Sequence, residues 1–265
     1  MPALNAPERL WWQVHPAPAG VRPAPALVLL HGLGSSSGDW LLQVPVFSVH
    51  YRVLTVDLPG HGRSSASGRL SVESMAADVA ALLRRLDEPA AHVLGLSLGG
   101  CVALALGALH AERVRSLVLV NAFARLRPAG PRGLLRLLVR LGLLAAAPMP
   151  VLAAHVARGL FPDPDQRWLY ERARASVSAM PRRRYLAAVR AVAAFDGRRL
   201  LPSVRCPTLV VAGERDRTVP RAAAEHLVRG IAGARLAVIA GSGHATPADR
   251  PEAFNRTVLE FLARA

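Results

Sequence analysis

Gly95-Leu96-Ser97-Leu98-Gly99 follows a short apolar run, Ala91 to Gly95, and precedes a stretch of small and apolar residues, Leu98 to Leu109, with the composition of a buried helix. A strand that turns sharply into a helix holds its corner residue in strained backbone geometry. Glycines flank such a corner because any side chain there would strike the neighbouring strand or helix. The corner lifts a serine hydroxyl clear of the sheet, which makes Ser97 the candidate nucleophile. G-x-S-x-G alone is common by chance; the strand before it, the helix after it and the order of its partners along the chain give it weight.

A serine hydroxyl needs a base to take its proton and a third group to fix the tautomer of that base. Of the nine histidines, His244 stands in Gly241-Ser242-Gly243-His244, a loop just past the last predicted strand and able to reach the carboxyl edge of a parallel sheet. His92 opens a strand, His110 and His226 belong to helices, and His50 and His155 lack a motif. For the acid, Gly213-Glu214-Arg215-Asp216-Arg217 follows an apolar strand, with Asp216 the choice and Glu214 the fallback. The order Ser97, Asp216, His244 is one of the known chain orders of such a triad. Negative charge developing on the substrate oxygen requires backbone N–H donors. Leu98 supplies one, and Leu33, in the loop His31-Gly32-Leu33-Gly34, supplies the other. His31 is read as ordering that loop rather than as the base.

Working outward from the corner, apolar runs alternate with helical stretches, the rhythm of an α/β fold with a mostly parallel sheet. Core strands are expected at Ala26 to Leu30, Arg52 to Val56, His92 to Leu96, Val114 to Val120, Thr208 to Ala212 and Arg235 to Ile239, with Leu10 to Val14 as an edge strand. Helices are expected at Ser37 to Val46, Ser71 to Leu86 with Ser71 as N-cap, Leu98 to Leu109, Arg221 to Ile231 and Pro251 to Leu262. The rhythm breaks for about eighty residues between Val120 and Thr208. That stretch is rich in Leu and Arg and punctuated by Pro128, Pro131, Pro148, Pro150, Pro162 and Pro164. A helical cap at residues 122–200, inserted into a core of residues 1–121 and 201–265, is the expected organisation. Candidate substrate-lining side chains are Trp40, Leu96, Phe123, Phe161 and Trp168.

The chain of 265 residues carries a net charge of +15 with no lysine at all. Residues 122–200 hold fifteen arginines against Asp163, Asp165, Glu171 and Asp196, so the excess charge is local. Some of Arg125, Arg127, Arg182, Arg183, Arg184 and Arg190 are expected to attract an anionic substrate or an acidic carrier; the rest are solvated surface. No nucleic-acid reader motif accompanies the charge, so no nucleic-acid partner is expected. Cys101 and Cys206 lie in no metal-binding spacing, and no metal or organic cofactor is expected. Cys101 reads as core packing. Residues 1–12 lack the pattern of a secretory leader, and the longest apolar run, Leu141 to Ala154, is too short to span a bilayer. A soluble, cytoplasmic protein with no membrane insertion is expected, and its oligomeric state is left open.

The chain resembles capped members of the α/β-hydrolase superfamily through His31-Gly32, Asp57-Leu58-Pro59-Gly60-His61-Gly62-Arg63-Ser64, Gly95 to Gly100, Gly213 to Asp216 and Gly243-His244. The resemblance implies a mostly parallel, eight-stranded sheet flanked by helices, with Asp57 and His61 architectural. It is closest to small carboxylesterases, enol-lactonases and the esterase acting on a pimeloyl carrier-protein methyl ester. Haloalkane dehalogenases are set aside because position 97 is not a carboxylate, and carbon–carbon hydrolases because Leu96 is apolar.

The resulting expectation is a serine hydrolase of a small-molecule carboxylic ester, lactone or thioester, anionic or carrier-linked. A synthase, lyase or acyl transferase of the same fold would share the triad, and a ligand receptor on this fold could retain it. A NAD-dependent oxidoreductase is the rival from another class. Gly32, Gly34 and Gly38 follow a strand and Asp57 ends the next, but their spacing departs from the dinucleotide fingerprint, and Ser97, Asp216 and His244 would have no use.

Overall fold

A computed structural model describes residues 10–17, 24–65, 68–127 and 130–265. Residues 1–9, within the stretch read as carrying no leader, and Pro128 lie outside the described residues. Seven strands form one sheet: β1 (Trp12–His15), β2 (Ala26–Leu30), β3 (Arg52–Val56), β4 (Ala91–Leu96), β5 (Val114–Val120), β6 (Thr208–Gly213) and β7 (Arg235–Ile239). Their spatial order is β1-β3-β2-β4-β5-β6-β7. Among the described strands only β1 runs antiparallel, pairing Trp12 with Val56 through His15 with Val53. Among the described residues the sheet thus has seven strands rather than eight. Among the described residues its antiparallel edge is the single short strand β1.

Strand β2 is buried at all five positions, as a strand covered on both faces must be. Val28 and Leu30 point to one face, against helices α2 (Val72–Arg85) and α3 (Leu98–Leu109). Leu27 and Leu29 point to the other, against Trp40, Phe47 and helix α10 (Pro251–Leu262). Ser71 caps α2 as expected, and Ser74 returns the bond, each hydroxyl accepting from the other residue's N–H at 3.0 Å. The helix expected from Ser37 to Val46 is instead a 3-10 helix, Ser37–Leu42, followed by the single turn α1 (Val44–Phe47). The break falls at Gln43, whose buried side chain turns away to donate to Pro247 O at 2.7 Å and Asn255 Oδ1 at 3.1 Å.

The chain leaves β2 for β3 on one side and then crosses back to β4 on the other. Such a reversal opens a crevice beyond the carboxyl ends of the two central strands. The loop after β2 and the β4–α3 corner meet there. Between β5 and β6 the chain inserts four helices, α4 (Gly130–Ala146), α5 (Met149–Leu160), α6 (Arg167–Ala179) and α7 (Arg182–Ala194). Leu144, Leu152, Val177 and Tyr185 form their shared core. The insertion rests on the loop after β2: Ser176 Oγ donates to Gly34 O at 3.1 Å, and Arg172 Nη2 donates to Gly38 O at 3.1 Å. Two more helices, α8 (Arg221–Gly230) and the short α9 (Thr246–Asp249), complete the fold.

Candidate active site

Ser97 sits at the β4–α3 corner with φ 54° and ψ −110°, a conformation that side-chain-bearing residues avoid. The corner is held by close packing of backbone on backbone. A Cβ added to Gly95 would stand 2.2 Å from Gly99 O, and one added to Gly99 would stand 2.1 Å from Leu30 O. Ser97 N–H donates to Val120 O at 2.9 Å, locking the corner onto the end of β5. The serine is half-buried.

Leu98 opens α3, where the first N–H groups have no partner within the helix. Gly32 lies against the corner, its Cβ position 3.8 Å from Ser97 Cβ, which brings the neighbouring Leu33 to the same place. His31 is fully buried and serves this loop. Its Nε2 accepts from Leu58 N–H at 3.0 Å, which leaves the proton on Nδ1 to donate to Gly32 O at 2.8 Å. Burial holds its pKa below the ordinary histidine value. Asp57 has a similar role: its two carboxylate oxygens accept from Ser37 N–H at 2.7 Å and Arg63 N–H at 2.8 Å.

The loops after β6 and β7 clasp each other. Arg215 N–H donates to Ser242 O at 2.7 Å, and a Cβ on Gly213 would stand 2.1 Å from Gly243 O. The clasp brings His244 Nδ1 within 2.7 Å of Asp216 Oδ2, with side-chain exposures of only 10% and 3%. The other oxygen of Asp216 accepts from Thr218 N–H at 2.7 Å and Val219 N–H at 3.0 Å, which fixes the plane of the carboxylate. Glu214, the alternative acid, is engaged by Gly241 N–H at 2.8 Å.

One residue of this assembly escaped the sequence reading. Asn121, buried at the end of β5 with φ 46°, donates from Nδ2 to His244 O at 2.6 Å and to Thr246 Oγ1 at 2.8 Å. Its Oδ1 accepts from Gly213 N–H at 2.8 Å. Asp249 supports the same loop, accepting from Gly243 N–H at 2.6 Å and Ser242 Oγ at 2.8 Å. An asparagine ending a strand reads as an ordinary turn signal. Only the neighbouring loops reveal its function.

The five side chains read as substrate-lining separate. Leu96 is half-buried beside Gly32, and Phe161 packs with Ala245, next to His244. Phe123 is buried beneath the start of the insertion. Trp40 belongs to the core: it is 1% exposed among Leu27, Leu29 and Phe47, where its bulk fills the space between sheet and α10. Trp168 points to solvent on α6, 48% exposed. Arg182 also departs from expectation, since it caps the insertion's own helices by donating to Leu144 O at 2.6 Å, Ala145 O at 3.2 Å and Ala147 O. Cys101 is buried, donates from Sγ to Phe123 O at 3.3 Å, and has its thiol pKa pushed up to about 12 by burial.

The residues that suggested the dinucleotide alternative make other contacts here. Gly34 faces Tyr185 and Val177 of the insertion, whose atoms stand 3.0 and 3.1 Å from its Cβ position. The Asp57 carboxylate that would hold a ribose is already filled by backbone N–H groups.

Residues 25–251 match the family described as alpha/beta hydrolase fold. A Stutzerimonas stutzeri (strain A1501) protein provisionally named carbamate hydrolase RutD is 34% identical, covering 91% of this chain and 92% of its own. The pimeloyl-[acyl-carrier protein] methyl ester esterase of Neisseria meningitidis serogroup C (strain FAM18) is 35% identical, covering 88% of this chain and 92% of its own. Among solved structures, the enol-lactonase from Burkholderia xenovorans LB400 superposes with a TM-score of 0.86 at 30% identity, covering 96% of each chain.

Proposed function

The chain belongs to the α/β-hydrolase fold family and is a hydrolase; we propose that it cleaves carboxylic esters, or the allied lactones and thioesters, through an acyl-enzyme on Ser97. The observation that carries this reading is the 2.7 Å contact between His244 Nδ1 and Asp216 Oδ2, at the sheet edge where Ser97 is held. Asp216 keeps the proton on Nδ1, leaving Nε2 free to accept the proton of Ser97 Oγ as that oxygen attacks the carbonyl carbon. The N–H groups of Leu33 and Leu98 receive the oxyanion. Collapse of the tetrahedral intermediate expels the alcohol or thiol, protonated by His244. Water, deprotonated by the same imidazole, then attacks the acyl-enzyme and releases the acid.

The substrates in the relatives' names support the class: a methyl ester, an enol-lactone and a carbamate all present a carbonyl bonded to a heteroatom leaving group. Residues 122–200 act as the cap in this reading. Their surplus of arginine favours substrates carrying an anionic group, whether free or on a carrier.

Turnover of chromogenic esters differing in acyl length and terminal charge tests the proposal. Ser97→Ala should lower kcat by roughly 10⁴-fold or more, and Asp216→Asn by about 10⁴-fold, while Glu214→Gln should stay within about tenfold of the parent. Full activity of Asp216→Asn would remove Asp216 from the triad. Esters ending in a carboxylate should lose kcat/KM with added salt more steeply than neutral ones; an identical salt response would sink the anionic preference.

A further inference from the structure

A cavity of about 240 Å³ lies where the helical insertion joins the sheet, and it is separate from the site above, since Ser97, Asp216 and His244 do not line it. Phe123, Arg125 and Arg127 face it from the segment leading into the insertion, Arg198 from the segment leading out, and Val219 and His226 from the chain after β6. No acidic residue lines it. The carboxylate beside it, Asp196, is already divided between two guanidiniums. Arg198 donates to it from Nε at 2.8 Å and from Nη2 at 2.5 Å, and Arg125 Nη1 stands 3.6 Å away. Arg127 has no hydrogen-bonding or ionic partner among the described residues. The cavity therefore combines surplus positive charge with an apolar floor.

We propose that this cavity binds a small carboxylate carrying an apolar tail, with the carboxylate on Arg127 and Arg125 and the tail against Phe123 and Val219. A guanidinium presents parallel N–H donors that match the two oxygens of a carboxylate. The walls supply the apolar contact that a buried tail requires. An occupant would touch both ends of the insertion at once, through Arg125 and Arg198, and would bear on Val219, whose N–H holds Asp216. The site thus touches both connections of the insertion and the loop that holds the carboxylate of the proposed triad. This inference does not depend on the ester-hydrolase reading.

Calorimetric titration of the whole protein with hexanoate tests it, with hexanol as the neutral counterpart and sodium chloride holding the ionic strength constant. Hexanoate should bind one equivalent, and Arg127→Ala should weaken it by about tenfold. Arg127 is exposed, so the variant should melt with the parent and fold normally. Arg127→Ala combined with His226→Ala should weaken binding at least as much. Hexanoate binding unchanged in both variants, or hexanol binding as tightly as hexanoate, overturns the assignment. Because binding is read without turnover, failure of the triad proposal leaves this result standing, and the reverse also holds.

Discussion

The side-chain amide of Asn121 joins the two loops that carry His244 and Asp216, donating to the carbonyl of His244 at 2.6 Å and accepting from Gly213 N–H at 2.8 Å. The residue before it, Val120, accepts the N–H of Ser97. A single strand end therefore sets the relative positions of the Ser97 corner, the His244 loop and the strand leading to Asp216.

Asn121→Asp separates these roles. Aspartate tolerates the positive φ and keeps the acceptor for Gly213, but it replaces the donor facing His244 O with a carboxylate oxygen. Displacement of the imidazole by about 1 Å is enough to lower kcat by about 10²-fold. KM for a neutral ester should change little, because the Asn121 side chain contacts only the chain segments around His244 and Gly213. A fall in melting temperature with kcat intact would reduce Asn121 to a structural residue.

Two glycines should respond in opposite directions to alanine. Gly99→Ala drives a methyl group into Leu30 O, so the protein should lose more than about 4 kcal/mol or fail to accumulate as folded chain. Gly142, exposed on α4, has nothing within 4 Å of its Cβ position, and Gly142→Ala should gain about 0.5–1 kcal/mol from helix propensity. Denaturant midpoints of the two variants decide the point; destabilisation by Gly142→Ala would contradict the open surface at that turn.

Acid should destabilise the fold through histidines buried in the neutral state. Burial pushes His61 down to about 3 and His92 down to about 4, and holds His31 below its ordinary value. The unfolded chain takes up these protons near pH 6.5 while the folded chain does not. The stability they contribute is therefore complete above pH 6.5 and drains away as pH falls toward about 4 for His92 and about 3 for His61. The loss reaches about 1.4 kcal/mol per pH unit for each histidine. Urea unfolding at pH 7.5, 6.0 and 5.0 measures the slope. His92→Gln, which keeps a polar group for Ser116 Oγ at 2.7 Å, should flatten it; an unaltered slope would mean that His92 does not titrate on unfolding.

The strands were largely legible because their signal is local: β2, β3, β5 and β7 begin and end at the residues expected from their apolar runs. The pairing of His244 with Asp216 was legible from chain order and glycine context, and the structure places the two in hydrogen-bond contact. Asn121 was not, because its three partners, at the end of β6, in the loop after β7 and at the start of α9, lie about 90 to 125 residues further along the chain. Trp40 was misplaced for a related reason: an aromatic beside a glycine-rich loop can face either a pocket or the layer beneath, and only α10 decides which. The insertion yielded only its existence and helical character. Its repeated Leu and Arg do not by themselves say which arginines turn inward.

Arg182 shows what the absence of lysine means for this fold. Three carbonyls at the end of α4 and just beyond it converge on one planar group that can meet them from two nitrogens at once; an ammonium on the same stem offers a single point of attachment. Exchange of arginine for lysine across the outer surface would leave charge and architecture alike, whereas the same exchange at this position would release the seam between the first and last helices of the insertion. A compositional habit that is neutral over most of the molecule has here become a mechanical fastening.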